Sequence, residues 1–393
     1  MKPLTTGVPA VSRREFLAAT IVLPFANGRR EWVRNFPQKG DMILQRTRPP
    51  LLETPFQVFD QGVFTPNDRF YVRWHLTNIP TVIDPGDFRL QIHGHVSQPL
   101  ALSLRDLRRD FPPFEIAAVN QCSGNSRGLF SPRVAGAQWG NGAMGNALWR
   151  GVRLKDVLDR AGVAAGAAQV RFRGLDSGVL PQTPRFMKSL AIDHARDGEV
   201  MLAYEMNGAP LPLLNGFPLR LVVPGWYATY WVKMLDDIEV LDEPDGNYWT
   251  SKAYLIPDTP EANITPGQKD VRMIPINRMV PRSFITNLED GAQVSRGRSL
   301  HVRGIAFGGD SGVAAVMLSV DGGAVWQTAR LGPDRGKYGF RRWESALRFA
   351  TAGPRSVLVK AINTTGVTQP DHPGWNPSGF MRNVVESVTL QVA

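Results

Sequence analysis

Residues 114–127 read F-E-I-A-A-V-N-Q-C-S-G-N-S-R and contain the only cysteine of this 393-residue chain, Cys122. The apolar run at the start of this stretch is typical of a buried strand, and the polar, glycine-bearing residues after it predict a loop. A lone cysteine is usually a small buried hydrophobic residue. The polar neighbours of Cys122 favour a functional thiolate instead, because reactive groups are often held where a strand opens into a loop, and a cation such as Arg127 favours the thiolate form.

A thiolate at Cys122 could attack an electrophile or bind a metal ion. A hydrolytic nucleophile needs a histidine base, which the sequence does not identify. No Gly-x-Ser-x-Gly elbow, P-loop or Cys-x-x-Cys-His haem motif is present, and the six histidines do not form a metal site by their spacing. The G-x-G-x-x-G match at residues 140–145 lacks the strand and helix of a dinucleotide site. Soft thiolate is a good ligand for transition metals, so metal binding stays a serious option.

Composition and charge narrow the classes of function. The chain is 43% hydrophobic and 20% charged, which is ordinary for a soluble globular protein, and no stretch outside the N-terminus is apolar for long enough to span a membrane. Its formal charge is +10, yet the basic residues do not form runs and no nucleic-acid motif occurs. Scattered arginines on a positive protein suit a small anionic substrate instead. One cysteine forbids an internal disulfide, so cysteine pairing does not identify the compartment.

The N-terminus resembles a twin-arginine export signal. Residues 12–17 read S-R-R-E-F-L, and a short apolar run follows at residues 18–26. We therefore expect residues 1–30 to be an export signal and the protein to be periplasmic. Because this route carries folded proteins, commonly around a cofactor, the signal also favours a cofactor that is bound before export.

The rest of the chain predicts two domains. Residues 40–260 mix short helices and strands without regular βαβ alternation, which indicates an α+β fold. Helices are expected after a capping box at residues 103–106 and at 154–160, and strands at 88–92, 169–173, 219–223 and 231–235. Prolines and a glycine mark a linker at residues 256–268. Residues 268–393 show strands at 299–307, 314–320 and 355–362 and a hairpin turn at 321–323, which predicts a β-sandwich.

A second polar insertion lies in an apolar segment. Residues 69–75 read R-F-Y-V-R-W-H, so Arg73 and His75 stand among aromatic side chains. Two arginines four residues apart can be a solvated face. Arginine among aromatic residues, however, is typically held for anion recognition or stacking.

In their order along the chain, these motifs resemble the sulfite oxidase family of molybdenum enzymes, most closely the bacterial periplasmic sulfite dehydrogenases. The resemblance covers nearly the whole chain after the signal. Residues 120–127 are similar to the segment whose cysteine ligates molybdenum, and residues 70–75 to the segment that supplies the substrate arginine. Three further stretches, at residues 202–211, 215–220 and 230–233, resemble those that hold molybdopterin. Two more, at residues 304–309 and 318–326, resemble parts of the C-terminal dimerisation domain.

The resemblance implies a molybdopterin-binding domain followed by an immunoglobulin-like sandwich that forms a homodimer. It implies that Cys122 is the protein thiolate on molybdenum and that Tyr254 lies near the metal oxo group. The implied cationic pocket for a sulfur oxyanion consists of Arg73, Arg127 and Arg382, with Trp139 as an apolar wall. The implied contacts to the pterin or its phosphate are His75, Asn215, Arg220 and Lys233.

Two positions depart from the vertebrate pattern. Asn215 stands where those enzymes carry a histidine, and Ser378 stands where they carry an arginine. A serine has no charge to offer an oxyanion. Arg382 is therefore the substitute that we expect for the missing arginine.

The function that the resemblance implies is oxidation of sulfite to sulfate by oxygen-atom transfer at the molybdenum-molybdopterin centre. No cytochrome b5-like segment precedes residue 40, so the expected electron acceptor is a separate c-type cytochrome, either free or as a bound haem subunit. The main alternative is the catalytic subunit of a sulfane dehydrogenase. A methionine-sulfoxide reductase would lack the C-terminal sandwich, and a nitrate reductase would carry haem and flavin modules. A non-enzymatic protein that only holds an oxyanion would need arginines but no thiolate.

Overall fold

The computed structural model describes residues 30–393, so the predicted export signal lies outside the described part except for Arg30. Short strands dominate the first part of the chain: β1 Trp32–Val33, β2 Met42–Arg46, β3 Leu51–Glu53, β4 Val72–Arg73, β5 Leu90–Gly94, β6 Leu100–Leu102, β7 Pro113–Gln121, β8 Met144–Arg153, β9 Gln169–Gly174, β10 Met187–Ala191, β11 Met201–Met206, β12 Ala209–Pro210, β13 Arg220–Val222, β14 Leu235–Leu241 and β15 Leu255–Pro257.

Strands also make up the second part: β16 Met273–Pro275, β17 Arg282–Ile285, β18 Ala292–Val294, β19 Ser299–Phe307, β20 Val313–Ser319, β21 Gln327–Thr328, β22 Arg330–Leu331, β23 Arg341–Arg348, β24 Gly353–Asn363 and β25 Glu386–Val392. The α-helices are short: α1 Val58–Gln61, α2 Leu104–Asp110, α3 Leu154–Ala161, α4 Ile192–Ala195 and α5 Tyr248–Ser251. Single 3₁₀ turns occur at Arg127–Leu129, Leu213–Asn215, Ala228–Tyr230 and Pro260–Ala262. Among residues 30–393, no helix is long and apolar enough to cross a membrane.

Three sheets carry the first part of the chain. Their strand orders are β1-β2-β3-β4, β10-β9-β14-β5-β6 and β12-β11-β8-β7, and β13 pairs with β11. The antiparallel pair of β7 and β8 runs in register from Pro113 opposite Val152 to Gln121 opposite Met144. Apolar side chains from these sheets and from α2 and α3 form one large buried core. This core surrounds the end of β7, where Cys122 follows.

The second part of the chain is a two-layer sandwich. One sheet has the order β17-β19-β23-β22 and the other β18-β25-β24-β20-β21. Alternating residues of both sheets, among them Val302 and Val357, are fully buried in a second core between the layers. The short pair of β15 and β16 spans the proline-rich stretch that the sequence marks as a linker.

Several local predictions are confirmed. Ser103 caps α2 through a hydrogen bond that Asp106 N donates to Ser103 Oγ at 3.1 Å, and Asp106 completes the capping box. Strands β9, β19, β20 and β24 and helix α3 lie where the patterns place them. The α+β class with a C-terminal sandwich is also confirmed. The limits of 1–30, 40–260 and 268–393 stay a prediction.

The strand predicted at residues 231–235 is wrong. The segment follows a 3₁₀ turn, and β14 begins only at Leu235. Met234 has a left-handed backbone with φ of +50°, which interrupts an extended strand. The irregular segment lets Lys233 line a cavity, so an apolar pattern that reads as a strand serves the site instead.

Candidate active site

Cys122 lies directly after β7, in a loop that backbone hydrogen bonds hold in place. Its N–H donates to the carbonyl of Ala143 at 2.9 Å, and its own carbonyl accepts from the N–H of Asn125 at 2.9 Å. Cys122 is 8% exposed and lines two cavities. We call them the inner cavity, which reaches Arg220 and Lys233, and the outer cavity, which reaches Arg127 and Trp139.

The strand β4 and its neighbours place alternating side chains in the inner cavity. Tyr71, Arg73 and His75 all line it, since residues two apart in an extended segment face the same side. The residues between them, Val72 and Trp74, are buried in a separate apolar cluster. The period of two in Y-V-R-W-H is a signal for this arrangement that the sequence analysis did not use.

The inner cavity brings together most of the predicted site residues. Those that line it are Arg73, His75, Cys122, Asn215, Arg220, Lys233 and Tyr254. Most of them come from different strands and loops, so the first part of the chain must fold completely before the cavity exists. Their placement as one group is the arrangement that the family resemblance implies. Their individual roles stay predictions.

Positive charge dominates the inner cavity. Arg73, Arg220 and Lys233 line it, and no carboxylate lines it in the part of the chain that the structure describes. Burial lowers the pKa of Arg220 to about 10. Burial, with a further contribution from Arg220, lowers the pKa of Lys233 to about 7. Both shifts show that burial in the cavity destabilises the charged form of these side chains. This is expected of a site whose ligand is an anion.

Unpaired polar atoms surround the same cavity. Buried atoms without a hydrogen-bond partner among residues 30–393 include Arg73 Nη1, Asn120 Nδ2, Ser123 Oγ and Arg220 Nε. An unpaired buried polar group costs about 1–3 kcal/mol, and more when the group is charged. A cluster of them is therefore expected only where a ligand supplies the partners.

The sequence analysis missed a lysine behind the inner cavity. Lys39 is buried, and its Nζ donates to Asn215 Oδ1 at 2.5 Å and to the carbonyl of Phe70 at 2.9 Å. Asn215 Nδ2 in turn donates to the carbonyl of Tyr71 at 3.1 Å. Both ends of the Asn215 amide are thus held by protein, so Lys39 and Asn215 act as a pair at the position where the vertebrate family members carry a histidine. No local pattern around Lys39 could have revealed this contact.

Tyr254 and His75 form a neutral pair at the junction of the two cavities. The Tyr254 hydroxyl lies 2.5 Å from His75 Nε2. Burial, followed by the charge of Arg73, lowers the pKa of His75 well below its ordinary value, and burial raises the pKa of Tyr254. Both groups are therefore neutral near pH 7, and the phenol can donate to the imidazole. Phe186 stacks on the His75 ring with centroids 3.9 Å apart, which fixes the imidazole plane.

The outer cavity is wider, and its wall combines aromatic rings with arginine and glutamine side chains. It has a volume of about 460 Å³, and Trp139, Trp249 and Phe380 form much of its wall. Arg127 lines it and is itself largely buried, and burial lowers the pKa of its guanidinium. Cys122, Arg73 and Tyr254 line both cavities, so the two spaces meet at these residues.

Arg127 contacts the second part of the chain. Its Nε donates to the carbonyl of Gly379 and its Nη2 to the carbonyl of Ser378, each at 3.2 Å. The guanidinium carbon lies 5.0 Å from the centre of the Phe380 ring, which also stacks on Tyr254 with centroids 5.2 Å apart. The sequence analysis did not select Phe380, because nothing in the local pattern of residues 375–382 distinguishes it from a core residue.

Arg382 is the predicted residue that the structure does not bring to the site. It lines neither cavity, and its Nη1 donates to the carboxylate of Glu386 at 3.3 Å. Glu386 also pairs with the buried Arg282. Ser378 does not replace the charge either, since its hydroxyl donates to the carbonyl of Leu255 at 2.7 Å. The arginines that line the outer cavity among the described residues are Arg46, Arg73 and Arg127.

Comparison with known proteins identifies two regions. Residues 76–249 match the family model of the oxidoreductase molybdopterin binding domain, and residues 273–393 match the Mo-co oxidoreductase dimerisation domain. Mouse mitochondrial sulfite oxidase is 36% identical over 366 residues, which cover 88% of this chain and 64% of the mouse protein. Chicken sulfite oxidase is 33% identical over 362 residues, which cover 88% of this chain and 77% of the chicken protein. This chain therefore spans somewhat less than two thirds of the length of the mouse protein.

A solved structure has the same fold. The sulfane dehydrogenase SoxCD from Paracoccus pantotrophus superposes with a TM-score of 0.74 over 99% of this chain and 96% of the matched chain, at 24% sequence identity. Nearly the whole chain is thus covered by one known architecture.

The chemistry of the groups that line the inner cavity fits the molybdenum-molybdopterin cofactor of the matched domain. Arg220 and Lys233 offer buried positive charge to the anionic phosphate of the pterin, and the unpaired atoms of Asn120 and Ser123 offer it hydrogen bonds. Cys122 offers a thiolate, a ligand that soft transition metals prefer. Both the charge and the unpaired polar atoms of the cavity are therefore accounted for by this cofactor.

Proposed function

This chain belongs to the sulfite oxidase family, and we propose that it oxidises sulfite to sulfate at a molybdenum-molybdopterin centre. The observation that carries the proposal is the position of Cys122 between two cavities of different character. The inner one is cationic and rich in unpaired polar atoms, and the outer one leads to the same thiol past Arg127. One residue can therefore meet a cofactor on one side while a substrate reaches the centre from the other.

The bound cofactor supplies the oxygen-atom transfer and accepts two electrons. Cys122 would hold its metal, and Arg220 and Lys233 would hold its phosphate. The protein itself binds and orients sulfite. Arg73 and Arg127 line the outer cavity and offer planar donors that suit an oxyanion.

The neutral pair of Tyr254 and His75 supplies orientation without charge. The Tyr254 hydroxyl is held by His75 Nε2 beside Arg73, so its oxygen stays at the entrance to the inner cavity. With its proton donated to His75, the phenol oxygen can still accept a hydrogen bond from an arginine. Trp139 and Phe380 place apolar surface beside the path, and a less polar surrounding strengthens the attraction between the arginines and an oxyanion.

We further propose that the protein is exported in folded form to the periplasm, that it passes single electrons to a c-type cytochrome, and that it forms a homodimer. The motif at residues 12–17 supports export. The match of residues 273–393 to a dimerisation domain supports the homodimer. An acceptor on a separate protein would dock transiently, and we expect its reduction to slow as salt screens the positive surface.

One observation favours a second candidate, the catalytic subunit of a sulfane dehydrogenase. The outer cavity of about 460 Å³ is far larger than a sulfite ion, and its wall includes Trp139, Trp249 and Phe380. Such a space could admit a sulfur atom carried on a peptide arm. Steady-state assays with sulfite and with a persulfide-bearing carrier peptide separate the two candidates, because each predicts turnover of only one donor.

The test of the proposed function is Cys122→Ala in the purified holoenzyme. Wild-type protein should contain molybdenum and pterin and should reduce ferricyanide or cytochrome c when sulfite is added. The variant should lose this activity, because the metal loses its protein ligand, while its far-UV circular dichroism stays unchanged. Sulfite oxidation at the wild-type rate by Cys122→Ala would refute the ligand assignment. Wild-type protein that contains no molybdenum and only binds sulfite would support a non-enzymatic oxyanion-binding protein.

A further inference from the structure

Three glycines from separate segments enclose the guanidinium of Arg127. An added Cβ would lie 2.7 Å from Arg127 Nη2 at Gly124, 2.8 Å from Nη1 at Gly136 and 2.8 Å from Nε at Gly379. Contacts under 3 Å are closer than real Cβ atoms make, so only glycine leaves room at each position. The guanidinium is thus packed by backbone around its edge.

Hydrogen bonds fix the orientation of the same group. Nε and Nη2 donate to the carbonyls of Gly379 and Ser378, and the Phe380 ring lies beside the guanidinium carbon. Nη1 has no acceptor among residues 30–393 and lies beside Gly136, which lines the outer cavity. One nitrogen of Arg127 is therefore left for a ligand, and the rest of the group is committed to protein.

We propose that Gly124, Gly136 and Gly379 form a slot that holds Arg127 in place so that Nη1 meets the substrate oxyanion. The proposal rests on the proposed function, since it takes a sulfur oxyanion as the ligand of Arg127. The glycines are positioning residues, because they act on the substrate only through Arg127. The slot also makes the second part of the chain a component of the substrate site, through Gly379 and Ser378.

The slot contributes to affinity by lowering the cost of ordering Arg127. A free arginine side chain loses rotamer entropy when it is fixed in one geometry. In the slot, that loss occurs on folding and not when the substrate binds. Displacement of Arg127 from the slot should therefore weaken substrate binding and leave the oxidation step nearly unchanged.

The alternative explanation is that the glycines serve only the fold. The identity of the clashing atoms distinguishes the two explanations. The three atoms nearest to a Cβ at Gly124 all belong to the Arg127 guanidinium, and the three nearest to a Cβ at Gly136 also belong to Arg127. The side chain can move aside, so an alanine at Gly124 should displace Arg127 without preventing folding. An alanine at Gly136 should also displace Arg127, but its φ of +115° adds backbone strain that a control must match.

Two matched pairs of holoenzyme variants test the slot. Gly124→Ala is paired with Gly62→Ala, where φ is −178° and the nearest atom to an added Cβ is a carbonyl oxygen at 3.8 Å. Gly136→Ala, with φ of +115°, is paired with Gly336→Ala, where φ is +113° and no atom lies within 4 Å of an added Cβ. The second pair carries the same backbone strain with and without the clash on Arg127.

The slot variants should raise KM for sulfite and the inhibition constant of sulfate by about tenfold, the expected effect of losing one charge-assisted hydrogen bond. Their kcat and molybdenum content should stay within about twofold of wild type, the scatter that remains when no such bond is lost. Both control variants should match wild type in KM, kcat and sulfate inhibition.

Unchanged constants in Gly124→Ala and Gly136→Ala would overturn the slot. Loss of cofactor or of the folded state in Gly124→Ala would overturn it as well, since that would show that Gly124 serves the fold. A failure of the proposed function is distinguishable, because wild-type protein would then show no sulfite oxidation. In that case, isothermal titration with sulfate still reports whether the slot variants lose anion affinity relative to their controls.

Discussion

The inner and outer cavities meet at Cys122 but differ in how their cations are satisfied. In the inner cavity, Arg73 Nη1 and Arg220 Nε are buried without a hydrogen-bond partner among residues 30–393, although Arg220 Nη1 donates to the carbonyl of Asn215 at 2.9 Å. Burial also lowers the pKa of Lys233 to about 7. In the outer cavity, Arg127 has two of its nitrogens on backbone carbonyls. The cations of the inner cavity need a resident anion, whereas Arg127 is stable before any ligand arrives.

This difference corresponds to the two kinds of ligand that we infer. A cofactor that stays bound can offset the large desolvation cost of the buried cations once, when the holoenzyme assembles. A substrate that binds and leaves in each turnover needs a site that is ordered while empty. Substitutions in the inner cavity should therefore change cofactor content, and those in the outer cavity should change KM.

The largest effect in this comparison is expected for Arg220→Met. Arg220 is fully enclosed between β11 and the rings of Trp149 and Trp231, so its loss removes a buried charge that no neighbour can replace. Molybdenum and pterin content per protein should fall by about 10- to 100-fold, as for other supporting residues of metal sites. Metal analysis and pterin fluorescence measure this. Arg220→Lys is the control that keeps the charge and should retain an intermediate content; full content in Arg220→Met would break the distinction between the cavities.

The next effect concerns Arg73 and Arg127. Arg73 lines both cavities, so Arg73→Gln should raise KM for sulfite and also lower kcat, with kcat/KM reduced by about 10²-fold. Arg127→Gln should raise KM by about tenfold with little change in kcat, because Arg127 lines only the outer cavity. Steady-state kinetics on holoenzyme of matched molybdenum content distinguish the two. An unchanged KM in both variants would remove them from the substrate pocket.

The smallest effect concerns Lys233 in cofactor-free protein. Burial destabilises the Lys233 ammonium in the folded chain and lowers its pKa to about 7, whereas the pKa in the unfolded chain is near 10.5. Between these pH values the unfolded state binds more protons, so this group makes the folded state more stable as pH rises. Lys233→Met removes the penalty and should raise Tm by a few degrees at pH 6.5 and by less at pH 9. Equal shifts at both pH values would show that Lys233 is not desolvated in the empty cavity.

How much of the site follows from sequence depends on how far apart its parts lie. The face shared by Tyr71, Arg73 and His75 depends on a period of two in one segment. The position of Cys122 after β7 follows from one apolar run and the polar loop next to it. Both are local patterns. The strand predicted at residues 231–235 failed because Met234 adopts a left-handed backbone, which hydrophobic spacing does not encode.

The position of Arg382 outside both cavities has a related cause. The sequence shows an arginine near the position where Ser378 lacks a charge, but not the direction of its side chain. In the structure, Arg382 lies four residues from Glu386 in the chain and pairs with it. A nearby carboxylate takes the arginine away from the cavity, and only the packing of β25 against the rest of the sandwich decides that.

The sequence by itself determined the elements that depend on neighbours along the chain, namely the strand before Cys122, the cap of α2 and the strands of the sandwich. The tertiary structure alone decided the contacts that join distant segments. Lys39 reaches Asn215 across 176 positions, and Arg127 reaches Gly379 across 252. The physical reason is that such contacts depend on how whole layers pack and on which buried charges find partners, and neither leaves a periodic trace in the sequence.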